Sequence, residues 1–434
     1  MKLHATELLF GKNQALGNTA KIVILIILTL IVLTLISLHY PLLGYPSVLV
    51  KNSSQSSSDT ADQDLVRARA GKKCDIYSGE WVPNSNAPYY TNTTCWAIHD
   101  HQNCMKYGRP DTEFMKWRWK PDDCELPIFN PAHFLELVRG KSMAFVGDSV
   151  GRNQIQSLIC LLSRVEYPVH VSYRPQEKSK HWQYTNYWKY TNYSFTIASF
   201  WTAYLVKAKE ADPNGLFNIY LDEFDKDWTN QIEEFDYVII SGGHWFYQPS
   251  MFYENGQLVG CYFCKKKNIT DLTMYYGYRK AFRTALRAIH SLERYKGITF
   301  LRTFSPGHFE TGIWNQGGNC VRRRPFTSNE THLEKEELEL YMIQVEEFRA
   351  AERKGRERGL KFRLLDITQA MLLRPDGHPS RFGHWPQENV TLYNDCVHWC
   401  LPGPIDTWND FLLQMLKMEA DGRLHTSDRK MKIK

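Results

Sequence analysis

The segment SMAFVGDSVGRNQIQSLICLL, residues 142–162, predicts a buried strand, a tight turn and a helix. Residues 142–146 form a short apolar run, and apolar side chains then recur at positions 155, 158, 159 and 162, which is helical spacing. Ser149 falls at the junction of the two elements. A serine there is either the N-cap of the helix or a nucleophile presented at the end of the strand.

The same alternation of strand and helix continues along the chain. Further strands are predicted at 237–240, 298–303 and 362–366, and amphipathic helices at 278–295 and 330–354. Such alternation is typical of an α/β fold with a central parallel sheet flanked by helices on both faces. Active sites of such folds lie beyond the carboxyl ends of the strands, so Ser149, Gly242 and the loop after Thr303 are expected at one edge.

A serine hydroxyl needs a neighbouring base, usually a histidine that a carboxylate orients. In NDCVHWC, residues 394–400, Asp395 and His398 are three apart, which brings a carboxylate beside an imidazole on one turn. Many such pairs are only surface contacts. Residues 147–151 also match the G-x-S-x-G hydrolase elbow, but an acid and a histidine on one turn do not fit that fold, so the G-D-S triplet at 147–149 is the informative part.

These motifs resemble a known family. The G-D-S triplet and the D-x-x-H turn resemble the SGNH, or GDSL-like, esterases. The longer forms FVGDSVGRNQ and DCVHWCLPGPIDTWNDF are similar to plant trichome birefringence-like polysaccharide O-acetyltransferases. The segments CDIYSGEWVPN, WRWKPDDCELPIFNP and LLDITQAMLLRPDGHPS extend the resemblance over nearly all of the chain after residue 73.

The resemblance implies a fold, an activity and three roles. It implies an SGNH/GDSL-like domain and a type II Golgi membrane enzyme that moves an acetyl group onto a hydroxyl of a cell-wall glycan. Ser149 would be the acetylated nucleophile, His398 the general base and Asp395 the acid that orients it.

Donors for the developing oxyanion are predicted around the same edge. The candidates are the backbone N–H of Ser149, the side chain of Arg152, and the backbone N–H groups of Gly242 and Gly243. Many relatives carry an Asn before a Gly-His at the second strand, whereas this chain has S-G-G-H at 241–244 and so loses an amide donor. The alternative for Arg152 is an ion pair with Asp148 or Glu166.

Histidines and tryptophans near these segments are candidates for sugar contacts, because an aromatic ring can pack on a sugar's apolar face. A structural role in the core or in a loop is the alternative for each. The candidates are His244, Trp245, Trp314, His378 and Trp399.

The N-terminal part predicts a membrane anchor and a stem. Residues 22–43 are almost entirely apolar and long enough to cross a bilayer, and lysines precede them; a cleaved signal peptide is the alternative. The expected organisation is a cytosolic tail at 1–21, the anchor at 22–43, a flexible lumenal stem at 44–73, a disulfide-stapled Cys/Trp-rich lobe at 74–130, the catalytic domain at 131–419 and a basic tail at 420–434.

Cysteines and acceptor sequences agree with a lumenal domain. All 10 cysteines follow the apolar segment and predict a disulfide framework of undetermined connectivity, with the C-x-x-C at 261–264 as a structural bridge. N-glycosylation acceptors occur at Asn52, Asn92, Asn192, Asn268, Asn329 and Asn389.

The sequence predicts no bound cofactor and three partners. No metal-ligand set, P-loop or dinucleotide fingerprint occurs, so no bound cofactor is expected, and the acetyl donor is acetyl-CoA or an acetylated carrier. The net charge of +6 over 434 residues does not favour nucleic-acid binding. The partners expected are a hemicellulose acceptor, the Golgi membrane and a membrane protein that supplies the donor.

The sequence leaves alternatives open for the acceptor and for the reaction. The segment RTFSPGHFETGIWNQGGNC, residues 302–320, resembles the branch of the family that acts on xyloglucan and mannan. Xyloglucan, at a galactosyl side chain or backbone glucose, is the leading interpretation, and mannan is second. A carbohydrate acetylesterase would use the same three residues, and a non-catalytic glycan-binding protein is the alternative from another class.

Overall fold

Three sheets organise the part of the chain that the computed structural model describes, residues 74–173, 185–210, 216–386 and 392–422. The predicted cytosolic tail, anchor and stem, and residues 423–434, lie outside it. Within these ranges no helix combines the length and apolarity needed to cross a membrane.

The strands are β1 (Gly79–Pro83), β2 (Trp117–Pro121), β3 (Ser142–Gly147), β4 (Val169–Tyr173), β5 (Thr185–Tyr190), β6 (Phe195–Trp201), β7 (Val206–Glu210), β8 (Phe217–Phe224), β9 (Tyr237–Ile240), β10 (Ser250–Glu254), β11 (Gln257–Tyr262), β12 (Ile298–Arg302) and β13 (Lys361–Leu365).

The largest sheet has seven strands in the order β13-β12-β9-β3-β6-β5-β4. Five of them, from β13 to β6, run parallel, and β5 and β4 are added antiparallel at one edge. The predicted central parallel sheet is therefore confirmed. Since β3 lies in the middle and its neighbours run in the same direction, residues that follow β3, β9 and β12 meet at one edge.

Helices cover both faces of this sheet. They are α1 (Pro131–Leu137), α2 (Ser149–Leu162), α3 (Lys226–Thr229), α4 (Thr273–Ser291), α5 (Lys335–Arg356), α6 (Thr368–Leu372) and α7 (Asp406–Ala420). One buried core lies among α1, α2, α6 and α7, and a second lies among α4, α5 and the other face of the sheet. Because helices bury β3 and β9 on both faces of the sheet, the sequences of these strands are continuous apolar runs.

Three features differ from the sequence-based predictions. A second sheet, β11-β10-β8-β7, packs beside α4. The predicted helix at 330–354 begins only at Lys335, because the carboxylate of Glu330 accepts hydrogen bonds from Arg324 and from the N–H of Thr327 in the preceding loop. The helix predicted from residue 278 begins earlier, at Thr273.

All ten cysteines of the described chain are paired. The bridges are Cys74–Cys124, Cys95–Cys160, Cys104–Cys400, Cys261–Cys264 and Cys320–Cys396. The predicted framework and the structural bridge at 261–264 are confirmed. Two bridges join the Cys/Trp-rich N-terminal part to later segments, and its residues Ile76, Trp81 and Trp119 pack into the same core as α7.

Candidate active site

The turn between β3 and α2 presents Ser149. Asp148 is the N-cap of α2, and its Oδ1 accepts hydrogen bonds from the N–H groups of Val150 and Gly151. The N–H of Arg152 donates to the carbonyl oxygen of Asp148. Ser149 is thus the first helical residue rather than the cap, and its half-buried hydroxyl extends from the carboxyl edge of the sheet.

Two glycines allow Ser241, the residue that follows β9, to pack closely against this turn. A Cβ on Gly147 would lie 2.2 Å from the carbonyl oxygen of Ser241, and one on Gly151 would lie 2.9 Å from its Oγ. Ser241 follows β9, and its N–H donates to the carbonyl oxygen of Val146. Both glycines of the G-x-S-x-G match therefore serve the close packing of Ser241 against the serine turn, a role the sequence analysis missed for Gly151.

Ser149, His398 and Asp395 form a continuous chain of hydrogen bonds. His398 Nδ1 lies 2.8 Å from Asp395 Oδ2, and His398 Nε2 lies 2.8 Å from Ser149 Oγ. A carboxylate only accepts, so Nδ1 carries the proton and the Nε2 lone pair accepts the serine hydroxyl. The sequence predicted this grouping, and the structure brings the three side chains together.

The electrostatics of the site raise the pKa of the His398 imidazole. Burial disfavours the charged form of both His398 and Asp395, but their mutual attraction and hydrogen bonds outweigh it. The pKa of His398 is raised above 6.5, and the pKa of Asp395 is lowered below 3.8. The charge of Asp148 also raises the pKa of His398, while that of Arg152 lowers it. The arrangement stabilises the imidazolium that forms when the base takes a proton.

The turn that carries the base is held on several sides. Oδ1 of Asp395 accepts from the N–H groups of Val397 and His398, at 3.1 and 2.9 Å. The disulfides of Cys396 and Cys400 flank His398. Asn153, on the serine's own helix, accepts from the N–H of Trp399 through Oδ1 at 2.8 Å and donates to its carbonyl oxygen through Nδ2. Asn153 was missed from sequence, because only the fold brings it beside residue 399.

The backbone N–H of Ser149 suits an oxyanion hole. Asp148 satisfies the next three N–H groups of α2, whereas the N–H of Ser149 makes no hydrogen bond to any described residue. The N–H groups of Gly242 and Gly243 are likewise without a partner within the described ranges. These donors are free for an oxyanion, and their role stays a prediction.

Arg152 lies one turn along α2 from the serine and is half-buried. Neither Asp148 nor Glu166 forms an ion pair with it in the described chain: Asp148 caps the helix, and Glu166 accepts from the N–H of Asn192. Its Nε is buried without a partner among described residues. Burial lowers the pKa of Arg152, and the guanidinium remains available as a donor.

Two predicted sugar contacts are wrong. Trp399 is completely buried, stacks on His378 at 4.0 Å, and donates to Ser305 Oγ. His378 is 2% exposed and lies between the carbonyl oxygen of His398 and the ring of His308, at 2.7 Å from each. Neither ring can reach an acceptor, because both are enclosed behind the catalytic turn.

The other three candidates lie nearer the surface. His244 is half-buried and stacks on Phe304, and burial lowers its pKa to about 4. Trp245 is half-buried and packs edge-on against Trp201. Trp314 is 44% exposed and is in edge contact with Tyr393. Their contact with substrate stays a prediction.

The predicted N-glycosylation sites lie at exposed or half-buried positions or outside the described residues. Asn192, Asn268 and Asn329 are exposed and Asn92 is half-buried, whereas Asn52 and Asn389 lie outside the described residues. No cluster of three potential metal ligands occurs in the part of the chain that the structure describes.

Comparison with known proteins identifies the family of this chain. Residues 126–415 match the PC-Esterase model, described as a GDSL/SGNH-like acyl-esterase family found in Pmr5 and Cas1p, and residues 72–125 match the PMR5 N-terminal domain. The chain is 56% identical to protein trichome birefringence-like 19 of Arabidopsis thaliana, over 95% of this chain and 96% of that protein.

Two further relatives carry an activity in their names. Xyloglucan O-acetyltransferase 4 of Populus trichocarpa is 43% identical over 82% of this chain and 84% of its own length. Xyloglucan O-acetyltransferase 2 of Arabidopsis thaliana is 40% identical over 82% and 86% respectively. With a PC-Esterase domain over most of its length and relatives of this similarity, the chain is an enzyme of the acyltransferase type and belongs to the trichome birefringence-like family.

Proposed function

We propose that this protein is a polysaccharide O-acetyltransferase that works through an acetyl-serine intermediate, with a hemicellulose and most favourably xyloglucan as acceptor. The observation that carries the proposal is the hydrogen-bonded chain from Ser149 through His398 to Asp395. The names of the relatives at 43% and 40% identity support xyloglucan over mannan, which remains the second acceptor to test.

In the first half-reaction, Ser149 Oγ attacks the acetyl carbonyl carbon of the donor while its proton passes to His398 Nε2. The carbonyl electrons move to oxygen, where the N–H of Ser149 and a second donor stabilise the charge. The bond to the donor's leaving group then breaks, and that group takes the proton from His398. Acetyl-Ser149 and the free donor moiety result.

The second half-reaction reverses the roles of the two groups. A glycan hydroxyl gives its proton to His398 Nε2 and attacks the acetyl carbonyl carbon. The bond to Ser149 Oγ breaks, and Ser149 recovers a proton from His398, so that the enzyme returns to its starting state. Asp395 keeps its charge throughout, because its pKa is held low by the imidazole and the N–H groups facing it.

The cellular setting belongs to the same proposal. The apolar segment at 22–43 and the lysines before it support a type II anchor, and the five disulfides support an oxidising compartment such as the Golgi lumen. Exposed acceptor asparagines support N-glycosylation. The donor is acetyl-CoA or an acetylated carrier, which a membrane protein would deliver, with no bound cofactor and no nucleic acid.

The test uses the purified full-length chain, an acetyl donor, and xyloglucan, mannan and xylan oligosaccharides. Mass spectrometry should detect acetyl-Ser149 and acetylated xyloglucan oligosaccharide, and Ser149→Ala should abolish both while retaining the wild-type unfolding transition. Acetyl transfer to mannan alone would show that mannan, and not xyloglucan, is the acceptor. Acetyl release to water that exceeds transfer to every glycan would make the protein an esterase and overturn the proposal.

A further inference from the structure

A cleft of about 550 Å³ lies where the N-terminal part of the described chain meets the loop before the catalytic turn. This size is within the range of about 300–1,000 Å³ that is common for ligand sites. One wall comes from residues 98–101 and Tyr107, and the other from Gly383, His384 and Trp385. Gly383 permits the two walls to meet, because a Cβ there would lie 3.0 Å from the carbonyl oxygen of His101.

The cleft adjoins the catalytic centre. Burial and next the charge of Arg152 lower the pKa of His99 in its wall, and the charges of His101 and His398 lower it further against the opposing charge of Asp100. The same wall is bonded to the chain just after the base, through the Cys104–Cys400 disulfide and the hydrogen bond from the N–H of Leu401 to the carbonyl oxygen of Gln102. A ligand in the cleft would therefore bind to a wall that is joined directly to the segment that follows His398.

Trp385 offers an aromatic surface at the mouth of the cleft. Its side chain is held in edge contact with Tyr107, at 5.5 Å between ring centroids, and passes over Gly108 at 3.9 Å from the position of a Cβ. Even so, Trp385 remains 56% exposed. A large aromatic side chain that is fixed by packing and still open to solvent suits the apolar face of a sugar ring.

Polar atoms beside the cleft also lack partners. His99 Nδ1 and His384 Nε2 are each buried without a hydrogen bond to any described residue. Unpaired buried polar atoms are costly, and sites that leave them commonly recover the free energy by binding a ligand or water. Hydroxyl groups of a sugar can both donate and accept, so they fit an imidazole in either tautomer.

The charges of the cleft favour a neutral ligand. The acidic group in its wall, Asp100, is paired with Lys106 at 2.7 Å. The lowered pKa of His99 keeps that ring neutral near neutral pH. A neutral ring with hydroxyl groups thus matches the lining better than a uronic acid or another anion does.

We infer that this cleft is a glycan subsite that binds one neutral pyranosyl residue of the acceptor, with Trp385 as the stacking surface. The inference rests on the proposed function and extends it to the part of the acceptor next to the reacting hydroxyl. Stacking on Trp385 and hydroxyl contacts to His99 and His384 would orient the chain so that a hydroxyl reaches acetyl-Ser149.

The test measures binding without catalysis. Calorimetric titration of full-length protein carrying Ser149→Ala with a xyloglucan oligosaccharide gives the Kd, and adding Trp385→Ala should raise it about threefold to tenfold, the range expected for loss of one aromatic contact. Trp385→Phe, which keeps a ring, should raise it less. An unchanged Kd in the Trp385→Ala protein, with a normal unfolding transition, would overturn the inference.

Two controls make the result specific. Tyr167 is 61% exposed and follows the far end of α2, a helix roughly 20 Å long that begins at Ser149, and it does not line the cleft, so Tyr167→Ala should leave the Kd unchanged. Trp314 and Tyr393 form a similar exposed pair elsewhere; if Trp314→Ala weakens binding and Trp385→Ala does not, the subsite lies there instead. Tighter binding of oligogalacturonate than of xyloglucan oligosaccharide would contradict a neutral ligand.

Failure of the subsite and failure of the proposed function give different results. If the wild-type chain forms acetyl-Ser149 but Trp385 does not affect binding, only the subsite is wrong. If Trp385 governs oligosaccharide binding but no acetyl-Ser149 forms with any donor, the subsite stands as a glycan-binding site and the acetyl-transfer mechanism fails.

Discussion

The side chain of His378 supports the backbone of His398: its Nδ1 lies 2.7 Å from the carbonyl oxygen of the catalytic residue. His378 is in turn in contact with His308, whose Nε2 lies 2.9 Å from the carbonyl oxygen of Leu372. Three contacts each need one ring proton: His378 Nδ1 to the carbonyl oxygen of His398, His308 Nε2 to the carbonyl oxygen of Leu372, and the contact between the two rings. Two neutral imidazoles carry only two such protons. Burial lowers the pKa of both rings and so favours the neutral pair, in which one contact is left without a proton.

Replacing His378 should therefore slow acetyl-Ser149 formation. We expect His378→Leu to reduce the rate about threefold to tenfold, since a single hydrogen bond contributes about 0.5–1.5 kcal/mol. His378→Gln, which can still donate to the carbonyl oxygen of His398, should recover part of the rate. Rapid-quench mass spectrometry measures the step; equal loss in both variants would mean that His378 only fills space.

The pH dependence of the same step should report His398. The base must be neutral to accept the proton of Ser149, and its pKa lies above 6.5, so the rate should rise with pH and reach half its maximum above pH 6.5. Stopped-flow measurements with p-nitrophenyl acetate between acid and mildly alkaline pH give the profile. A midpoint below 6.5 would contradict the stabilising effect of Asp395.

Asp395→Asn should lower both the rate and that midpoint. The amide cannot stabilise an imidazolium, and it favours the wrong imidazole tautomer, so a fall on the order of 10³–10⁴ is expected. Circular dichroism and thermal unfolding check that the turn still forms. A fall of less than tenfold would show that the carboxylate does not act on His398.

The two glycines around Ser149 should respond differently to alanine. Gly147→Ala brings a Cβ against the backbone of Ser241 and should cost about 3 kcal/mol of unfolding free energy. Gly151→Ala meets only the rotatable Oγ of Ser241, and alanine gains about 1 kcal/mol in a helix, so its net effect should be near zero. Urea unfolding of both variants measures the contrast, and equal losses would contradict it.

Sequence reasoning succeeded where the chemistry is local in the chain. Asp395 and His398 share one turn, so their pairing was predicted from their spacing, and Ser149 was placed at the junction of a strand and a helix, whereas the grouping of all three came from the family resemblance. It failed where distant segments meet: Ser241 and Asn153 support the site through contacts that only the fold creates. Trp399 was misjudged for the same reason, because its position beside His398 in sequence does not reveal that it faces the core.

The same limit applies to the fold. The runs that form β3, β9 and β12 are buried on both sides and are visible as continuous apolar segments. Strands β4 and β5 are the antiparallel additions at one edge of the seven-stranded sheet, and β7 and β8 belong to the four-stranded sheet; their mixture of polar and aromatic residues did not distinguish them from loops. The start of α5 depended on Glu330, whose arginine partners belong to the loop before it.

The disulfide at the catalytic turn should matter for both stability and rate. Cys320–Cys396 closes a segment of 76 residues, and its loss through paired alanine substitutions should cost about 4 kcal/mol. The rate of acetyl-Ser149 formation in the folded fraction should also fall, because Asp395 precedes Cys396 directly. Removing Cys261–Cys264, which spans 3 residues in the smaller sheet, is the matched control and should leave the rate unchanged.

Because Cys396 and Cys400 are each tied to a remote part of the chain, we expect a newly synthesised, reduced polypeptide to lack a fixed catalytic turn even though it already contains all three side chains of the hydrogen-bonded chain. Thiol oxidation is then expected to be the last step that fixes the geometry of His398, and reductants that open these bridges should abolish the activity.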